Sequence, residues 1–127
     1  MKSKIWWIVG ILVFVGIIIG SVSWYEWYEH TPGQYDSFAE CLASSGVTFY
    51  GAFWCPHCQA QKAMFGKSVD KLPYVECSTP DGSGQTQECI NKNIQGYPTW
   101  VDKNGSSTEG VLSFQQLSAM SGCALPQ

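Results

Sequence analysis

The 127-residue chain contains no arginine, and beyond Ser23 its five lysines are outnumbered by ten acidic residues. An acidic surface without arginine offers no basic patch for a phosphate backbone, which argues against nucleic acid or an anionic membrane surface as a partner. Internal repeats and low-complexity tracts are also lacking. So is a second CxxC or an HxxxH: outside Cys55-Pro56-His57-Cys58 the cysteines at 41, 77, 89 and 123 are scattered, and the other histidine is His30. A structural zinc site needs further ligands at close spacing, so this absence disfavours metal and leaves the chain with no expected metal or cofactor. The last absence is local, for no charged residue occurs between Ile5 and Val22.

That uncharged run of Ile, Val, Leu, Phe, Trp and Gly would span about 27 Å as a helix, close to the thickness of a bilayer's hydrocarbon core. Lys2 and Lys4 precede it, while Trp24, Tyr25, Trp27 and Tyr28 follow it as interfacial aromatics. The expected topology is a transmembrane anchor over residues 1–23, with the lysines cytoplasmic and the rest of the chain on the extracytoplasmic side. A cleaved signal peptide is the competing reading, since Ser21-Val22-Ser23 provides small residues for cleavage, although the run exceeds a typical signal core. Residues 24–34, with Thr31-Pro32-Gly33, read as a juxtamembrane linker and 35–127 as the single folded domain.

Within that domain a helix is predicted from about Tyr35 to Ser44, where Phe38 and Leu42 are four apart. Val47 to Phe53 reads as a strand buried on both faces, and the residues after Cys55-Pro56-His57-Cys58 are good helix formers. Leu72 to Cys77 makes a second strand, Gln85 to Asn93 a helix and Gly96 to Val101 a third strand. Asn104-Gly105 signals a hairpin into a strand near Gly110-Val111-Leu112, and Ser113 caps a last helix from Phe114 to Met120. The predicted order, α-β-α-β-α-β-β-α, is that of an α/β domain.

A CxxC placed between a strand and a helix has a specific chemical use. The first cysteine sits at the helix N-terminus, where unpaired N–H groups and the positive end of the dipole favour a thiolate, so Cys55 is the candidate nucleophile. One helical turn brings Cys58 within disulfide range. Pro56 suits a first-turn position, and His57 adds a second group that favours the Cys55 thiolate. A merely structural disulfide is disfavoured, because so small a loop constrains little of the unfolded chain.

Phe53-Trp54-Cys55-Pro56-His57-Cys58, followed some forty residues later by Gly96-Tyr97-Pro98-Thr99, resembles the thioredoxin superfamily over about Tyr35 to Cys123. More narrowly, Tyr50 to Cys58, Tyr74-Val75-Glu76-Cys77 and Gly96 to Trp100 are similar to the thioredoxin-like domain attached to bacterial and plant homologues of vitamin K epoxide reductase. The resemblance implies a thioredoxin-like fold, a mixed sheet of about four strands flanked by helices. It also implies a cis peptide at Tyr97-Pro98 facing the CxxC, and a place for Trp54 on the substrate face. Read by itself, the Tyr97-Pro98 dipeptide favours an ordinary trans bond. The other aromatics, Phe53, Phe65 and Trp100 among them, are expected in the core. The chain departs from thioredoxin at Phe49, where thioredoxin has a buried aspartate, and this puts a reductase role in doubt.

The function expected from these readings is that of a membrane-anchored dithiol oxidase forming disulfides in exported cysteine-containing proteins. Cys-Pro-His-Cys matches a periplasmic dithiol oxidase rather than thioredoxin, and stabilising the Cys55 thiolate makes the disulfide a better oxidant. A membrane quinone reductase of the vitamin K epoxide reductase type is the expected reoxidant. Two alternatives stay open: a reductase or isomerase fed with electrons across the membrane, and a non-catalytic thioredoxin-like module that handles metal or acts as an adaptor. Of the remaining cysteines, Cys77 ends a strand and Cys89 lies in the helix after the next loop, so they are expected to pair. Cys41–Cys123 follows by elimination.

Overall fold

The computed structural model describes residues 1–126, and only the backbone of Lys2 and His30. Gln127, the end of the expected domain, lies outside the described residues, as do the side chains of Lys2, expected in the cytoplasm, and His30. The chain divides into two compact units, Met1–Thr31 and Pro32–Gln127.

The first unit is one helix, α1 (Lys2–His30), long and apolar enough to cross a membrane; a signal sequence has the same character. It continues through Trp24–His30, which had read as linker. Those residues include no Gly or Pro to interrupt the hydrogen-bond ladder. The helix stops at Thr31, which is extended (φ −74°, ψ 123°) as a residue before proline prefers to be. Thr31 also closes the last turn, its hydroxyl donating to the Trp27 carbonyl at 2.7 Å.

The second unit contains α2 (Asp36–Ser44), β1 (Thr48–Gly51), α3 (Pro56–Phe65), a 3-10 segment (Gly66–Lys71), β2 (Tyr74–Glu76), α4 (Gln87–Asn91), β3 (Thr99–Val101), β4 (Ser107–Glu109) and α5 (Phe114–Ser121). The four strands form a mixed sheet in the order β2-β1-β3-β4. The central β1 runs parallel to β2 and antiparallel to β3, which pairs antiparallel with β4. This is the α/β, thioredoxin-like arrangement, with helices flanking the sheet.

Alternation along β1 feeds two cores. Phe49 joins Phe38, Leu42, Phe65, Trp100 and Leu117 in the larger one, while Tyr50 meets Cys77, Cys89 and Ile94 in the smaller. A strand buried on both faces explains why Val47 to Phe53 lacks a clean polar-apolar alternation. Phe49 stacks on Trp100 with ring centroids 4.6 Å apart, so an aromatic pair fills the space beneath the active helix.

The hairpin differs from its prediction. β4 covers Ser107–Glu109 and not the residues around 110–112. Asp102 Oδ1 accepts from the Asn104 and Ser106 amides, which makes the turn tight and starts the pairing at Val101↔Ser107. Gly110, at φ +100°, then turns the chain out of the sheet, and Leu112 enters the core as a loop residue. Ser113 caps α5 through a capping box with Gln116, whose amide lies 3.3 Å from the Ser113 hydroxyl.

Candidate active site

Cys55 is the N-cap of α3 and Pro56 occupies its first turn. The chain leaves β1 through a turn in which the Cys55 amide donates to the Ala52 carbonyl at 3.0 Å. The backbone N–H of Cys58 points at the Cys55 sulfur, 3.5 Å away, so one of the orphan donors of the helix start is directed at the atom that would bear thiolate charge. On its other side that sulfur lies 3.6 Å from the Tyr97 carbonyl oxygen, to which the thiol donates. The Tyr97-Pro98 peptide is cis. Cys55 keeps 5 % of its surface exposed and Cys58 1 %. They are not bonded to each other in this structure.

The two sulfurs are thereby made unequal. Burial pushes the Cys58 thiol up to about 12, and the adjacent Cys55 sulfur adds to the rise, while a backbone hydrogen bond at Ala52 and the charge of Lys62 oppose it. Cys58 packs beside Gly51, where a Cβ would stand 2.9 Å from its sulfur. Any side chain there would have to displace Cys58, so the close approach requires glycine. His57 is exposed in the first turn of α3.

Around Cys55 the surface is aromatic. The Trp54 indole donates from Nε1 to Ser78 Oγ at 2.8 Å and meets the Tyr97 ring edge-on, with centroids 6.0 Å apart. Half of the Trp54 surface remains open, and Phe53, which the sequence placed in the core, is equally exposed at 50 %. Phe53 lies beyond the end of β1, and the turn into Cys55 carries it out of the sheet's alternation. Its backbone is held instead: its N–H donates to Glu76 Oε1 at 3.2 Å and its carbonyl accepts from Gln59 Nε2 at 2.9 Å. The Tyr97 hydroxyl accepts from Gln85 Nε2 at 2.9 Å.

Four residues that sequence reasoning passed over support this site. Gln61, fully buried on α3, accepts from the Leu112 amide at 2.7 Å and the Trp100 indole at 3.3 Å, and donates to the Leu112 carbonyl at 3.1 Å. Its signal in the sequence was an amide one turn after Cys58. Tyr74 and Glu76 are joined by a 2.7 Å hydrogen bond from the phenol to Oε2, and Lys62 Nζ lies 3.4 Å from the centroid of the Tyr74 ring. The other cysteines form two bridges, Cys77–Cys89 with Cα atoms 5.6 Å apart and Cys41–Cys123 at 6.0 Å. The first joins the end of β2 to α4, the second α2 to the residues after α5.

No protein-family model matches the chain. Over 96 residues, 72 % of its length, it is 41 % identical to a protein of Arabidopsis thaliana named thiol-disulfide oxidoreductase LTO1. The likeness supports an oxidoreductase family for this chain. The matched region is 25 % of the plant protein, so the chain spans about a quarter of the length of the curated relative it matches.

Proposed function

We propose that the protein is a membrane-anchored dithiol oxidase that forms disulfides in exported cysteine-containing proteins through Cys55 and Cys58. The observation that carries this reading is the N–H of Cys58, directed at the Cys55 sulfur from the start of α3. The likeness to a protein named thiol-disulfide oxidoreductase supports the same chemistry. α1, with its flanking lysines and aromatics, supplies the anchor and leaves the domain on the extracytoplasmic side.

In this scheme a substrate thiolate attacks the Cys55 sulfur of the Cys55–Cys58 disulfide. The mixed disulfide forms as the Cys55–Cys58 bond breaks, and its electron pair leaves on Cys58. A second substrate thiolate then attacks the substrate sulfur, releases the oxidised product and leaves both cysteines reduced. Trp54, with its indole fixed by Ser78 and half of its surface open, provides an apolar platform beside the reacting sulfur. A membrane quinone reductase of the vitamin K epoxide reductase type reoxidises the pair.

Three features favour oxidation over reduction. Cys55 lies at the helix start and His57 is in the first turn, and surroundings that favour a thiolate stabilise the reduced enzyme and make its disulfide the stronger oxidant. Phe49 leaves β1 with no carboxylate at the position that carries one in thioredoxin. Acid quenching and alkylation of growing cells test the reading: the Cys55–Cys58 pair should be trapped mainly as a disulfide and in mixed disulfides with exported proteins. A pair held mainly reduced would favour the reductase alternative.

A further inference from the structure

Cys58 is buried, yet it has to bear negative charge each time the pair exchanges. It is the leaving group when a thiolate opens the Cys55–Cys58 disulfide, and the attacking group when it expels a partner from Cys55. Burial favours the neutral form of this thiol, and a nearby cation would ease either step. β1 provides none, since Phe49 and Gly51 are its residues on this side. The titratable residues that act on Cys58 from α3 are Cys55 and Lys62, with His57 exposed beside them, and from β2 they are Tyr74 and, hydrogen-bonded to it, Glu76.

Lys62 follows Cys58 by four residues on α3 and so lies on the same helix face. Its Nζ sits 3.4 Å from the centroid of the Tyr74 ring, a cation–π contact. That ring is fixed at both ends. Its hydroxyl donates to Glu76 Oε2 at 2.7 Å, and its edge meets Phe49 with centroids 5.0 Å apart. Burial and the Glu76 carboxylate keep the phenol protonated. The point that a Gly51 Cβ would occupy lies 2.9 Å from the Cys58 sulfur and 3.0 Å from Tyr74 Cε2. The missing side chain of Gly51 thus lets sulfur and ring share one space, with the ammonium seated on the ring.

We propose that Lys62, held in place by Tyr74, is the cation that stabilises the Cys58 thiolate whenever the Cys55–Cys58 pair opens or closes. When glutathione opens the disulfide, its thiolate bonds to Cys55 and is oxidised to the disulfide level. The electron pair of the broken bond goes to Cys58, which is reduced and afterwards takes a proton from water. Lys62 keeps its proton throughout. Stabilising this thiolate speeds exchange in both directions, so the inference rests on Cys55–Cys58 exchange but not on its direction.

The test uses the full chain in detergent micelles with reduced glutathione as the probe. Lys62→Met should slow opening of the disulfide about tenfold at neutral pH, the effect of moving one ionisation by a single unit. In a Cys55→Ser background the same change should move the pH profile of Cys58 alkylation upward, and Lys62→Arg should restore most of both losses. Tyr74→Leu should match Lys62→Met, and the double variant should be no slower than either. A Lys62→Met protein that opens at the wild-type rate with an unchanged alkylation profile overturns the inference alone. A wild-type disulfide that glutathione does not open overturns the exchange reading with it.

Discussion

The amide of Cys58 is directed at the sulfur of Cys55 across 3.5 Å, although the two residues differ in chemical environment more than their spacing suggests. The contact ties the potential nucleophile to the first turn of α3, and it is the same turn that buries Cys58 beneath the surface. Burial opposes charge on the Cys58 sulfur, while the Cys55 sulfur faces the start of the helix.

The burial of Cys58 sets a pH dependence. Its folded value stands near 12 against an ordinary 9.0, so the folded dithiol keeps a proton that the unfolded chain releases. The resulting stabilisation is complete below pH 9 and is lost as pH rises from 9 to 12. The Cys55–Cys58 disulfide form has no such proton. Denaturant titrations of both redox forms should show the reduced protein losing stability relative to the oxidised one above pH 9; parallel curves would contradict the burial account.

Gln61 gives a stability prediction. Gln61→Leu removes the acceptor of the Leu112 amide and the Trp100 indole, leaving two buried donors unpaired. The expected loss is about 3 kcal/mol, read from the urea midpoint. A loss within experimental error of zero would show that Leu112 and Trp100 find other partners.

The two bridges should differ in worth. Cys77 and Cys89 are 12 residues apart, Cys41 and Cys123 82 apart. Loop-closure entropy gives about 3 kcal/mol for the shorter loop and about 4.5 kcal/mol for the longer. Replacing each pair by alanine and measuring unfolding should preserve that order, and a reversed order would mean that native contacts outweigh chain entropy.

Trp54 should matter for polypeptides more than for small thiols. Trp54→Ser removes the indole beside Cys55 and its bond to Ser78. For a cysteine-containing peptide kcat/KM should fall about tenfold, the worth of one aromatic contact, with glutathione oxidation little changed. Equal losses on both would place the effect in the sulfurs themselves.

Much of the fold was legible because its signals are local. Strand, CxxC and helix follow one another within about twenty residues, and the proline and capping serine mark helix starts that depend on backbone chemistry alone. Boundaries that depend on tertiary pairing were less readable: the Asp102 turn moved β4 toward the hairpin, and the lack of any breaker before Pro32 lengthened α1. Phe53 was misplaced because its exposure follows from the turn geometry between β1 and Cys55 rather than from its apolar side chain. Lys62, Tyr74 and Glu76 could not be linked to Cys58 from sequence. They reach it across strand register and through the gap at Gly51, neither of which leaves a pattern along the chain.

The central claim is that Cys55 and Cys58 form an oxidising pair, and its most direct test is the equilibrium of the full chain with glutathione buffers, read by alkylation of the two cysteines. The account predicts a potential well above that of thioredoxin, which lies near about −270 mV, and a fall toward it in His57→Gly. A potential at or below thioredoxin's, unchanged in His57→Gly, would contradict the oxidase reading.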